Sequence, residues 1–186
     1  MILPVYALGQ PVLKKIAKPI ENDHEGLEEL IGNMWETMYN ASGVGLAAPQ
    51  IGKSIRLFLV DTIQIQEEGE EDLGIKKAFI NAEIIEENGE AKAIEEGCLS
   101  IPNIRGDVER LSSIKIKYLD IDFKEHEDEY TGFNARVIQH EYDHIEGKLF
   151  TDKLKPLKKK MIKRKLENIR KGKITSDYRM RFYTSR

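Results

Sequence analysis

The chain has one cysteine among 186 residues, Cys98, so no disulfide can form within it and a reducing compartment suits it. It has no apolar run of membrane-spanning length, and residues 1–8 carry no basic region ahead of their short apolar stretch. A membrane protein and a secretory signal are therefore not expected, and the reading is a cytoplasmic protein. Prolines are few (six), and there is no internal repeat and no low-complexity linker to mark a second domain. With 40% apolar residues, a length of 186 residues is enough for one domain with a sizeable core. The acidic run 67–72 lacks the Asp/Asn and Gly alternation of a calcium loop, so it reads as a solvated loop without chemistry.

The net charge of -3 hides a division. Residues 152–186 hold 14 Lys plus Arg against 3 Asp plus Glu, leaving 15 basic against 29 acidic residues ahead of them. A basic C-terminal arm on an acidic body fits a polyanionic partner, or a helix whose charges simply face water.

What is present is most informative at His140-Glu141-Tyr142-Asp143-His144. On a helix, two imidazoles four residues apart share one face and can grip one metal ion, with the intervening Glu141 beside it as a general base. Ala135, Ile138, Tyr142 and Ile145 recur at helical spacing and Gly147 follows as a stop, so the motif lies where its mechanism requires. A third ligand is needed, and Cys98 stands in Glu96-Gly97-Cys98-Leu99-Ser100, a segment that reads as a strand ending in a turn. A third stretch, Gly43-Val44-Gly45-Leu46-Ala47-Ala48-Pro49-Gln50, offers close backbone approach through its small residues and a side-chain amide, Gln50, able to donate to a developing oxyanion.

Together these three segments resemble the signature motifs of the peptide deformylase family. Pro4 to Leu13 and Gly147-Lys148-Leu149-Phe150 extend the resemblance, which runs from about residue 2 to about residue 166. The resemblance implies hydrolysis of the N-formyl group from N-formylmethionine at the start of newly made polypeptides. It implies Cys98, His140 and His144 as metal ligands, with Fe(II) the natural ion and Zn(II), Ni(II) or Co(II) as replacements. Glu141 would move the proton, Gln50 and the Leu99 N–H would polarise the formyl oxygen, and Gly45 would give close backbone access. Val44, Phe133, Val137 and the His140 ring match positions lining a slot for Met. Val44 and Leu46 on one side and Glu96 and Gly97 on the other would border an extended substrate, with Arg105 near the mouth and Glu96 also matching a family Glu behind the site. Related bacterial enzymes imply that the basic helix, through Lys158, Lys159, Lys160, Lys163, Arg164 and Lys165, docks on the ribosome. Two alternatives carry different chemistry: a metalloprotease cutting internal peptide bonds, and a non-catalytic module binding peptides or the ribosome.

Periodicity predicts a helix over 25–41, a strand over 55–60, and a hairpin from strands 78–87 and 91–95 turned at Asn88-Gly89. A strand over 114–123 changes its inward face near Leu119, consistent with a bulge. The metal helix follows, and then a last amphipathic helix over 156–171 with Leu157, Met161, Leu166 and Ile169 inward and Gly172 as its stop. The expected fold is α+β, one domain with short antiparallel sheets around a central metal-binding helix and a C-terminal amphipathic helix. Residues 1–172 would form the catalytic domain and 173–186 a tail.

Overall fold

A computed structural model describes residues 1–67 and 73–183; most of the acidic run 67–72 lies outside the described residues. In chain order the elements are β1 (Val5–Tyr6), α1 (Leu27–Asn40), β2 (Gly45–Ala47), β3 (Leu57–Asp61), β4 (Lys76–Cys98), β5 (Ile101–Leu119), β6 (Glu125–Thr131), α2 (Gly132–Ile145), α3 (Pro156–Arg170) and β7 (Met180–Arg181). The α+β expectation holds. The sheets, however, are not all short: one five-stranded antiparallel sheet runs β2-β3-β4-β5-β6, and β1 and β7 pair in parallel as a separate ribbon.

Helix α2 lies against this sheet, burying Ala135, Val137, Ile138 and Ile145 on Phe58, Val60, Phe79, Ile114 and Ile116. Helix α1 covers Leu46, Leu57, Leu59 and Ile80 with Leu27, Ile31, Met34 and Met38, the stripe its spacing predicts. A third apolar cluster joins the N-terminal segment, the start of β5 and α3 through Leu8, Leu13, Ile101, Phe150 and Ile162. Two of these clusters meet around α2 and the end of β4, where the chemistry sits.

Three sequence expectations need correction. Asn88-Gly89 is not a hairpin turn: β4 runs through it, because β5 supplies partners on both sides, Ser113 for Asn88 and Leu111 for Ala91. The extra residues are taken up by a bulge in which Gly89 has φ 82° and the Ser112 Oγ accepts the Glu90 N–H at 3.1 Å. A bulge of this kind uses the same positive φ as the tight turn that the dipeptide predicts, so local chemistry does not separate them. The reversal instead comes at Leu99-Ser100, leaving Cys98 as the last residue of β4. Likewise the change of face after Leu119 is a turn, not a bulge. There Asp120 Oδ1 accepts the Asp122 and Lys124 N–H groups, Phe123 takes φ 58°, and β6 follows as an acidic edge strand.

The third correction concerns α3, where Leu157 and Met161 are 71% and 70% exposed and the helix packs through Ile162, Leu166 and Ile169. Residues 174, 180 and 182 also pack on that cluster, so the stretch 174–182 lies against the body.

Candidate metal and catalytic site

Because α2 presents positions 140, 141 and 144 toward the end of β4, His140, His144 and Cys98 converge. Their donor atoms all lie within 4.8 Å of one another, and the Cys98 Sγ is 3.3 Å from the His144 Nε2. The His140 Nδ1 is taken by the Glu96 carboxylate at 2.9 Å, which leaves its Nε2 for a ligand. Burial, followed by the charge on His140, pushes the His144 pKa well below its ordinary value, so that ring is held neutral. Burial opposes protonation of His140 too, but the Cys98 sulfur and the Glu96 and Glu141 carboxylates lift its pKa well above the usual range. A thiol and two imidazole nitrogens converging in a buried pocket are a donor set that suits a divalent metal ion.

Glu141 is 4% exposed, and its Oε2 has no hydrogen-bond partner among the described residues. Burial pushes its pKa up to about 7. An orphaned buried carboxylate oxygen beside a ligand triad is costly unless a reacting molecule meets it, which fits a proton carrier. Gln50 is fixed by the 3-10 turn Ala48–Ile51: its Oε1 accepts the Ala47 N–H at 2.8 Å, which turns the Nε2 toward the Cys98 Sγ (3.5 Å) and the Ser100 Oγ (3.4 Å). The amide is therefore held as a donor.

A cavity of about 540 Å³ opens onto these groups, lined by Val44, Gly45, Leu99, Phe133, Val137 and Arg105 among others. Gly45 lies against Glu141, with no room between them for a Cβ. Val44, Phe133 and Val137 all line this cavity, as do Gly97 and Arg105, which are partners across the β4–β5 pair.

Two expectations are not met. Leu46 does not border the cavity: it is fully buried under α1. Since the Val44 carbonyl accepts the Asp61 N–H at 2.9 Å, the alternation of an antiparallel pair turns the backbone groups of Val44 and Leu46 toward β3 and those of Gly45 and Ala47 away from it, with the Ala47 N–H taken by Gln50. Glu96 reaches the cavity wall, but its carboxylate is held by His140, Arg110 and Arg136 and is not free for substrate.

Comparison with known proteins agrees with this geometry. The family model described as polypeptide deformylase matches residues 2–160. A peptide deformylase of Christiangramia forsetii is 57% identical, covering 98% of this chain and 96% of that protein, and one of Flavobacterium psychrophilum is 54% identical, covering 97% of each. The chain belongs to the peptide deformylase family. Among solved structures, a peptide deformylase from Legionella pneumophila matches with a TM-score of 0.81 at 41% identity, covering 93% of this chain and 98% of that one. The deformylase of Thermus thermophilus matches with a TM-score of 0.82 at 35% identity over 92% and 99%. As a peptide deformylase, the chain is a metal-dependent hydrolase that removes N-formyl groups from newly made polypeptides, and the protease and binding-module alternatives are not favoured.

The deformylase site also has members that the motifs did not reveal. Arg110 on β5 is 6% exposed and bridges Glu96 (Nε 2.7 Å, Nη2 3.0 Å) to Asp143 (Nη1 2.7 Å). Arg136, one helical turn before His140, adds a 3.0 Å bond to Glu96. Burial works against the Glu96 anion, yet His140 and Arg110 hold its pKa far below the usual carboxylate range. The only sequence trace of Arg110 is its place among inward positions of β5, alternating with Val108, where an arginine is out of pattern.

Proposed function

We propose that this chain deformylates N-formylmethionyl peptides with Cys98, His140 and His144 holding one divalent ion and Glu141 carrying the proton. The observation that carries this reading is the buried, unpartnered Glu141 Oε2 beside the three converging donors. When bound, the ion supplies Lewis acidity that makes water a usable nucleophile near neutral pH.

Glu141 accepts a proton as water adds to the formyl carbon, and delivers it to the leaving amine as the C–N bond breaks and formate departs. Burial raises its pKa in the metal-free site, which favours a carboxyl able to hold the proton between the two transfers. The Gln50 Nε2 and the Leu99 N–H donate to the oxygen on which charge develops, each such donor contributing about 3 to 4 kcal/mol. Among the described residues, the Leu99 N–H donates to none of the chain's own acceptors, which leaves it free for this. Val44, Phe133 and Val137 take the Met side chain, Gly45 offers its backbone at the open edge of β2, and Arg105 stands at the mouth. Glu96 orients His140 and is itself held by Arg110 and Arg136.

Fe(II) is the ion favoured in the cell by the thiolate and by the family, with Zn(II), Ni(II) and Co(II) as replacements. Formylated chains arise at the ribosome, which supports a cytoplasmic location. The exposed basic face of α3 (Lys159, Lys160, Lys163, Arg164), with Leu157 and Met161 beside it, supports docking there through RNA phosphates. No described helix is long and apolar enough to cross a membrane.

Metal content and formate release from formyl-Met-Ala test the core of this reading. Glu141→Ala is expected to keep its metal and lose at least about a hundredfold in turnover, whereas Cys98→Ala, His140→Ala and His144→Ala lose the metal. Near-normal turnover of metal-loaded Glu141→Ala would refute the assignment.

A further inference from the structure

The hairpin turn that carries Cys98 and Leu99 is gripped by both ends of the chain. On one side the Leu8 N–H donates to the Ser100 carbonyl at 2.9 Å; on the other the Tyr178 hydroxyl donates to the Leu99 carbonyl at 2.7 Å. The two ends are tied to each other. β1 and β7 pair in parallel (Val5 with Met180, Tyr6 with Arg181), the Val5 and Ala7 N–H groups reach the Arg179 and Arg181 carbonyls at 2.9 and 3.0 Å, and the Gln10 amide adds a 3.2 Å bond to Arg181. Met180 and Phe182 pack on the same apolar cluster as Leu8, Ile101 and Cys98, so Tyr178 hangs from an anchored strand. Its ring is part of the cavity wall.

We propose that Tyr178 is a positioning residue for deformylation: its hydroxyl fixes the Leu99-Ser100 peptide, and thereby the direction in which the preceding Leu99 N–H points into the cavity. Resting on the assignment of Leu99 as an oxyanion donor, this makes the stretch 178–181 part of the active site. A two-residue turn without this brace has freedom about the ψ of Cys98 and the φ of Leu99, and a donor aimed at a developing charge loses much of its effect when it swings by a fraction of an ångström. Cys98 itself, at the end of the β4 ladder and paired with Ile101, is held by strand pairing and does not depend on the tyrosine. The hydroxyl therefore acts on the transition state more than on the metal or on the Met slot.

Tyr178→Phe in the full-length protein keeps the ring and removes only this bond. With formyl-Met-Ala, kcat is expected to fall about tenfold while KM stays within about twofold and metal content is unchanged. In the diamagnetic zinc-loaded protein, the NMR order parameter of the Leu99 amide should fall from about 0.85 to about 0.6, while that of Ile138 in α2 stays as in the wild type. An unchanged order parameter at Leu99 overturns the brace, whatever the activity. A fall at Leu99 and Ile138 alike shows a general structural role and overturns positioning. A looser Leu99 amide with undiminished kcat removes Leu99 as a donor, and the catalytic role of Tyr178 with it.

Discussion

Gly45→Ala is a demanding test of the site, because a single methyl separates steric from metal effects. A Cβ built on Gly45 lies 2.7 Å from the Glu141 Cγ and 2.8 Å from its Cδ and also meets its Oε1. Carbon atoms in contact sit about 3.5 to 4.0 Å apart, so the carboxylate must move by roughly 1 Å. Neither side yields easily: β2 is locked to β3, and α2 is packed on the sheet. Overpacking of this kind costs about 1 to 3 kcal/mol of stability if the backbone shifts, and a displacement near 1 Å of a reacting group costs about a hundredfold in rate. The three ligands are untouched. The expected outcome is a variant with full metal content and a modestly lowered thermal midpoint, whose kcat for formyl-Met-Ala falls about a hundredfold. A double-mutant cycle sharpens the argument. In a Glu141→Ala background the methyl has nothing to displace, so adding Gly45→Ala should cause little further loss. Full additivity of the two changes, or kcat for Gly45→Ala within about twofold of wild type, would refute the reading that this glycine exists to seat Glu141.

Arg110→Ala leaves the buried Glu96 and Asp143 carboxylates short of a partner and should lower unfolding free energy by about 3 to 5 kcal/mol; an unchanged denaturant midpoint in the metal-loaded protein would show that the bridge is dispensable. Formyl-Met peptides should exceed formyl-Gly peptides in kcat/KM by roughly ten- to a hundredfold, the burial of one Met side chain, and equal values would remove Val44, Phe133 and Val137 as its slot. Anaerobically loaded Fe(II) enzyme should lose activity in air faster than the Ni(II) form, through the metal or Cys98; matching rates would leave iron without support. Replacing Lys158, Lys159, Lys160, Lys163, Arg164 and Lys165 by Gln should sharply reduce salt-sensitive ribosome co-sedimentation with little change in formyl-Met-Ala turnover, and co-sedimentation unaffected by either salt or the substitutions would return α3 to an ordinary solvated helix.

The proposed ligand pair was legible in the sequence because a helix converts a spacing of four residues into a shared face without help from the rest of the chain, and both α1 and α2 lie where their periodicity predicts. Cys98 was legible for a different reason: it stands alone, in a motif whose form is specific. Long-range pairing decided what local chemistry left open. Asn88-Gly89 carries a positive φ that serves a hairpin turn or a bulge equally, and only the presence of β5 along both halves of β4 selects the bulge. On α3 the stripes through Leu157 and Met161 and through Ile162, Leu166 and Ile169 are both apolar, and the body covers only the second. The partners that orient the chemistry were hidden for the same reason. Arg110 reaches Asp143 from 33 residues away and Tyr178 reaches Leu99 from 79, and no pattern of spacing records a contact made only when strands from distant segments are brought side by side. Residue types and local periodicity thus picked out the groups to which the chemistry is assigned; tertiary packing decided which carboxylate and imidazole are held in place, by what, and with which neighbour's backbone facing the cavity.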